Sequence, residues 1–242
     1  MTFLSGIGLL TVGLAAAGFL ASRPQMHEIG EYSTSLAGRT PNQRHNAIQA
    51  TQELDGIWIK PGETLSFNQR IKGWTKDRGY RKAPVSYNGQ LVVAWGGGVC
   101  QASTTLYNAA LIAGMEIVER NRHHFAPSYI PPGRDAAVAF ENIDLRFINP
   151  LNAPIQIKGI IHQDRITFQI LTASSTAKPL RVYEEIRSVT EPRSFTIPSS
   201  QRQLRNSGKK GFESLVWRDC GTYRELISHD NYPTMNRIIE GQ

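Results

Sequence analysis

The stretch Trp95-Gly96-Gly97-Gly98-Val99-Cys100-Gln101-Ala102-Ser103-Thr104-Thr105-Leu106-Tyr107-Asn108-Ala109-Ala110-Leu111-Ile112-Ala113-Gly114 decides how this chain folds. Consecutive glycines let the backbone turn sharply and approach a neighbour closely, because glycine adopts positive φ without strain. From Gln101 to Ala113 the spacing of Ala102, Leu106, Ala109, Ala110 and Ala113 predicts a helix with one apolar face, and Gly114 ends it. Cys100 therefore stands at a helix start, delivered there by a glycine loop.

Working outward, the chain changes texture on the two sides of this helix. Upstream, Thr40-Pro41-Asn42-Gln43 reads as a helix start: Thr40 caps, Pro41 fits the first helical position, and Gln43 completes a capping box. Ala47, Ala50 and Leu54 continue at helical spacing until Gly56. Ile57 to Ile59 reads as a short strand, and a hairpin turn is expected at Asn88-Gly89 between Pro84–Tyr87 and Leu91–Val93. Downstream, period-two patterns predict strands at Met115–Arg120, Ala136–Phe140, Ile143–Ile148, Ile155–Ile161 and Ile166–Leu171, joined as an antiparallel meander. The expected class is α+β: a single compact domain with a Cys-bearing central helix packed on an antiparallel sheet. Residues 173–242 are expected to add a small β appendage, with strands near Leu180–Tyr183 and Ser214–Trp217 and a loose tip near Asn206–Gly211.

The 242 residues suffice for one domain with a real core. Hydrophobic residues at 40% and charged residues at 19% exclude wholesale disorder. The net charge of +7 favours acidic partners, but no RNA-binding, helix-turn-helix or zinc-finger pattern supports nucleic acid. Phe3 to Ala21 carries no charge and approaches the roughly 20 residues needed to cross a bilayer. Residues 1–25 are thus expected to be a signal peptide or a membrane anchor, although no Lys or Arg precedes the apolar run. Residues 26–39, polar and broken by Gly30 and Gly38, read as a tether. The body is expected outside the cytoplasm.

A cysteine at a helix start sits in the field of unpaired N–H groups and the positive dipole end, which favour thiolate. Downstream, His123-His124 follows the strand that ends near Arg120, and Asp135 opens the next one after Pro131-Pro132-Gly133-Arg134. A histidine can take the thiol proton, and a carboxylate can orient that histidine. The same residues admit a bland reading, in which Cys100 is a small hydrophobe and Asp135 pairs with Arg134 in a turn. A metal site is not expected, because adjacent histidines on an extended strand point oppositely and lack zinc-ligand spacing. No cofactor is expected, since the glycine loop lacks the lysine and hydroxyl of a phosphate cradle. Cys100 and Cys220 are expected to stay unpaired.

Pro61-Gly62-Glu63-Thr64-Leu65-Ser66-Phe67-Asn68 and Gly96-Gly97-Gly98-Val99-Cys100-Gln101-Ala102-Ser103-Thr104-Thr105 resemble two hallmark blocks of the VanW family. Glu119-Arg120 with His123, Ser128-Tyr129 and Gly133-Arg134-Asp135-Ala136 resembles a third. The likeness runs from about Ser35 to Ile170, so residues 40–172 are expected to be the VanW-like domain. Arg224 to Ser228 resembles part of a G5 module. The resemblance implies an extracytoplasmic or membrane-tethered bacterial protein acting at the cell wall, with peptidoglycan or its peptide precursors as partner. Its histidine corresponds to His123. The expected chemistry is acyl transfer or amide hydrolysis with Cys100, His123 and Asp135, the alternative being a non-catalytic wall-binding module. Trp95, Gly96, Gly97, Gly98, Gln101, Ser103, Thr104 and Arg134 are the expected substrate-binding residues. Backbone N–H groups after Cys100 would hold the oxyanion, and Arg134 a substrate carboxylate.

Overall fold

The computed structural model describes residues 25–87, 90–140, 142–199 and 203–241. The apolar segment Phe3–Ala21 and the turn Asn88-Gly89 lie outside the described residues. No helix among the described residues is long and apolar enough to cross a membrane.

The secondary structure is mostly antiparallel strand with few helices. Strands β1 (His27–Ser35), β2 (Trp58–Ile59), β8 (Ile155–His162) and β9 (Arg165–Thr172) form a sheet in the order β1-β9-β8-β2. A second sheet has the order β3-β7-β6, from β3 (Thr64–Ser66), β6 (Glu116–Glu119) and β7 (Arg146–Ile148). The expected hairpin exists as β4 (Lys82–Tyr87) paired with β5 (Gln90–Trp95). The downstream strands are therefore split between two sheets rather than joined in one meander. Ala136–Phe140 is not a strand: it makes only isolated bridges, Asn121 to Ala137 and Ala139 to Ile143.

Helix α1 (Pro41–Leu54) begins as its sequence predicts. Thr40 Oγ1 accepts from the Gln43 N–H, and the Gln43 side chain returns to the Thr40 N–H at 3.1 Å. A short helix α2 (Phe67–Ile71) follows β3 and is capped by Ser66. Helix α3 (Val99–Ile112) packs on β1 and β9 on one side and on α1 on another. It is not amphipathic, as its apolar spacing suggested; every side chain from Gln101 to Leu111 is buried. A helix buried all round must satisfy its polar groups internally, and α3 does so for its Gln, Ser, Thr and Asn side chains, while the buried Tyr107 hydroxyl has no hydrogen-bond partner. Thr105 bonds Thr34 at 2.7 Å, Ser103 donates to the Ala136 carbonyl at 2.7 Å, and Asn108 donates to the Arg134 carbonyl at 2.7 Å. These bonds occupy the backbone of 134–136, which is why that segment lies against the helix instead of joining a ladder.

Residues 26–39 are not a tether. Ile29, Thr34 and Leu36 are buried, and β1 pairs with β9 from His27 to Ser35. The signal was weak because the buried side of β1 needs little apolar bulk. Gly30 lies so close to α3 that a Cβ there would stand 2.5 Å from the Ala109 carbonyl oxygen and 2.8 Å from the Ala113 methyl. Small residues on both elements permit that approach.

The C-terminal region holds two three-stranded sheets. One has the order β10-β13-β14, from β10 (Arg181–Thr190), β13 (Gly211–Asp219) and β14 (Arg224–Tyr232). The other has the order β11-β15-β12, from β11 (Ser194–Ile197), β12 (Gln203–Lys209) and β15 (Met235–Glu240). The stretch expected as a loose tip thus lies in β12 and the start of β13. This region is docked rather than appended: Arg218 donates to the Met115 carbonyl at 2.7 Å, and Arg134 pairs with Glu184 at 3.2 Å.

If β1 is an integral strand, Gly30→Ala forces the β1–α3 contact apart. It should lower unfolding free energy by about 2–3 kcal/mol in urea denaturation. An unchanged midpoint would return residues 26–39 to the status of a tether.

Candidate active site

Two glycines aim Cys100. Gly98 is the N-cap of α3 at φ 109°, and a Cβ there would stand 2.2 Å from the Gln43 carbonyl oxygen, so only glycine lets α3 start against α1. Gly96 also takes positive φ, at 78°. A glycine N-cap brings no side-chain acceptor to the first helical N–H groups. Cys100, at the second helical position, consequently has its own N–H without an acceptor inside the helix. The Gln101 N–H is different: it donates to the Gly98 carbonyl at 3.0 Å. The donor available to an oxyanion is thus that of Cys100 itself, not the N–H after it.

The topology brings His123 to the same place. Gly114 reverses the chain at the far end of α3, and β6 runs back towards the helix start. Beyond β6, the His123 N–H and Nδ1 both meet Asp135 Oδ2, at 2.7 and 2.6 Å. That double contact fixes the ring and leaves Nε2 for the thiol. Cys100 stands close enough to this ring for the two groups to shift each other's titration, and Cys100 Sγ donates to the Val138 carbonyl oxygen at 3.4 Å. Asp135 itself is held by helix α3, through Ser103, Thr104 and Asn108 on its flanking peptides.

The electrostatics match a thiolate–imidazolium pair. Burial pushes the Cys100 thiol up, but the hydrogen bond and charge of His123 carry it below its ordinary value. Burial would lower His123; its bonds to Asp135 and Cys100 raise it instead, well above the ordinary histidine range. Burial alone would raise Asp135, yet His123, Arg120 and the His123 N–H bring it down to about 2. Asp135 is fully buried, whereas the His123 side chain is 22% exposed and faces a cleft.

Arg120 and two C-terminal residues complete the support. Arg120 donates to Asp135 Oδ1 at 3.0 Å and pairs with Asp230 at 2.6 Å. The Tyr232 hydroxyl donates to Asp135 Oδ1 and accepts from the Gly133 N–H at 3.0 Å. Arg120 lay in the third sequence block without an assigned role. Asp230 and Tyr232 gave no sequence signal, since a strand residue's tertiary partner over 90 positions away has no local pattern.

Cys100 and His123 open into a cleft of about 230 Å³, lined also by Gly96, Gly98 and Gln101 and by the unanticipated Arg39, Tyr129 and Lys209. Five expected binding residues are elsewhere. Gly97 is buried, with its carbonyl accepting from Asn46. Ser103 and Thr104 point into the helix–segment contact, and Trp95 lies beneath Lys82 on the hairpin. Arg134 is 5% exposed and already engaged with Asn108 and Glu184, so it has no free face for a substrate carboxylate. It does not pair with Asp135 in a turn either; Arg120 does. His124 is exposed, edge-on to Phe125. Cys220 is free, as is Cys100. A wider hollow of about 590 Å³, lined by Asn68, Lys72, Phe140, Asp144 and Arg146, contains none of these groups. Among the described residues, no three His, Cys, Asp or Glu side chains gather as metal ligands.

The family described as VanW like protein matches residues 42–171, which include Cys100, His123 and Asp135. Uncharacterized protein YoaR of Bacillus subtilis is 40% identical over 132 residues, covering 54% of this chain and 44% of that protein. Vancomycin B-type resistance protein VanW of Enterococcus faecalis is 31% identical over 134 residues, covering 53% of this chain and 49% of that one. The chain spans about half the length of the curated relatives it matches. No solved structure matches. With a family match over more than half of its length, the chain belongs to the VanW-like family.

Proposed function

We propose that this protein is a cysteine-dependent acyltransferase or amidase acting on peptidoglycan peptides outside the cytoplasm. The observation that carries the reading is the Cys100–His123–Asp135 relay at a helix start, opening into a cleft. The name of the Enterococcus relative, a vancomycin resistance protein, supports the cell wall as the place of action. The uncharged Phe3–Ala21 run supports export.

In this reading the Cys100 thiolate attacks the carbonyl carbon of a peptide bond. The Cys100 N–H and the positive end of α3 stabilise the oxyanion. His123 gives its proton to the departing amine as the C–N bond breaks, leaving a thioester on Cys100. Water or an acceptor amine, deprotonated by His123, then attacks the thioester and releases the thiolate. Asp135 keeps the proton on Nδ1, and Arg120 and Tyr232 hold Asp135.

Removing the nucleophile or the base should abolish turnover. Cys100→Ala and His123→Ala are each expected to reduce release of amine products from peptidoglycan stem peptides by at least about 10³-fold, and Asp135→Asn by about 10²–10⁴-fold. Mass spectrometry of the products reads this. Full activity in Cys100→Ala would discard the mechanism, and a wall polymer bound without turnover by the unaltered protein would favour the non-catalytic module.

Thiolate character predicts the pH response. Because His123 lowers Cys100, iodoacetamide should alkylate Cys100 with a midpoint below the ordinary value of about 8.5. His123→Ala removes the main lowering influence and leaves burial and the Asp135 charge opposed only by the Val138 carbonyl contact, so the midpoint should move upward. Turnover should follow a bell, losing activity in acid as Cys100 gains a proton and in alkali as His123 loses one. A midpoint at or above the ordinary value in the unaltered protein contradicts the ion pair.

A further inference from the structure

The cleft carries two cations whose charges nothing in the relay uses. Arg39 lines it beside Cys100 and Lys209 lines it from β12 in the C-terminal region. Arg39 is held in place: its Nε donates to Gln101 Oε1 at 3.0 Å, and its guanidinium lies 4.6 Å over the Tyr129 ring. Both anchors are fastened near the nucleophile, since Gln101 follows Cys100 and the Tyr129 hydroxyl donates to the Cys100 carbonyl at 3.2 Å. Gln101 in turn is fixed by its bonds to Thr34 and the Ser35 carbonyl, at 3.1 and 2.7 Å.

Neither cation meets a carboxylate. Among the described residues, no Asp or Glu lies within ion-pair distance of Arg39 or Lys209. Partial burial and the neighbouring charge of Arg39 hold Lys209 below the ordinary lysine range, as two like charges in one cleft should. Bringing two cations together without a counter-charge costs free energy, and an anion seated between them would remove that cost. A guanidinium with its Nε already engaged still offers its terminal N–H groups to a planar carboxylate, and an ammonium adds a point charge beside it.

We infer that Arg39 and Lys209 form a carboxylate subsite, which selects peptide substrates bearing a free carboxylate near the bond that Cys100 attacks. Arg39 supplies orientation and Lys209 supplies charge. The substrate class is an acidic or C-terminally free peptide, and a neutral, amidated peptide is disfavoured. The subsite takes the role expected of Arg134, whose guanidinium is buried elsewhere. It also gives the C-terminal region a share in recognition.

The inference rests on the peptide chemistry proposed above, so it is best tested by binding to inactive protein, where the two readings fail separately. Full-length Cys100→Ala protein is titrated with a fluorescent stem peptide carrying a free C-terminal carboxylate and with its C-terminal amide. The amide should bind about tenfold or more weakly, the difference that loss of a charge-assisted contact produces. Adding Lys209→Gln, at the rim of the cleft, should remove most of that difference, and Arg39→Gln the rest. Equal binding of acid and amide, no binding of either, or selectivity that survives both substitutions would overturn the subsite. Displacement of the peptide by inorganic phosphate at equal concentration would overturn the assignment to a carboxylate. Carboxylate-selective binding in a protein whose unaltered form turns over no peptide would keep the subsite and sink the catalytic reading.

Discussion

A fully buried carboxylate organises this molecule. Asp135 has no exposed side-chain surface, and burying an uncompensated charge would cost several kcal/mol. Its compensation comes from different parts of the chain: the ring and N–H of His123, the guanidinium of Arg120, and the hydroxyl of Tyr232. Each donor must arrive for the others to be stable. The β6 arm, the irregular segment after Gly133 and the last strands of the chain are therefore brought to one point. Asp230 supplies the second carboxylate that Arg120, with a single positive charge, shares between two partners.

Helix α3 provides the other half of this constraint. Its buried polar side chains look, in a linear reading, like a ligand-binding turn. In the fold Ser103, Thr104 and Asn108 are the clamps that hold residues 134–136 against the helix, so these three act on the chemistry by fixing where Asp135 stands. The cleft is consequently walled by other groups, from the loop before α1, the Ser128-Tyr129 segment and β12. A site assembled from segments so far apart in sequence resists local unfolding only while the C-terminal sheets stay docked, which the buried Arg218 bond to the Met115 carbonyl helps to secure.

What could be read from the sequence divides along the range of the interactions involved. The capping box of α1, the Cys100 helix start, the β4–β5 hairpin and the strands β8 and β9 rest on signals within a few residues, and all were legible. The family's block pointed to His123 rather than His124, and in the fold it is the His123 ring that meets Asp135. The strand β1 was not, because its buried face is built from Gly30 and Thr34 against an alanine surface, and a hydrophobic pattern cannot show a close backbone approach. The Ala136–Phe140 stretch has strand periodicity, but its backbone groups are taken by helix side chains. Arg134 looked available because guanidinium groups are usually exposed; burial against Asn108 and Glu184 is a tertiary fact. Asp230, Tyr232 and Lys209 needed the fold itself.

The account turns on a covalent step at one atom, and that step leaves a mass. Brief reaction of the full-length protein with a stem peptide, quenched in acid, should show by intact mass spectrometry an increment equal to the acyl part of the peptide. Peptide mapping should locate it on Cys100, and hydroxylamine should remove it as it removes a thioester. Consumption of the peptide with no adduct, or with an adduct on any other residue, would contradict Cys100 as the nucleophile.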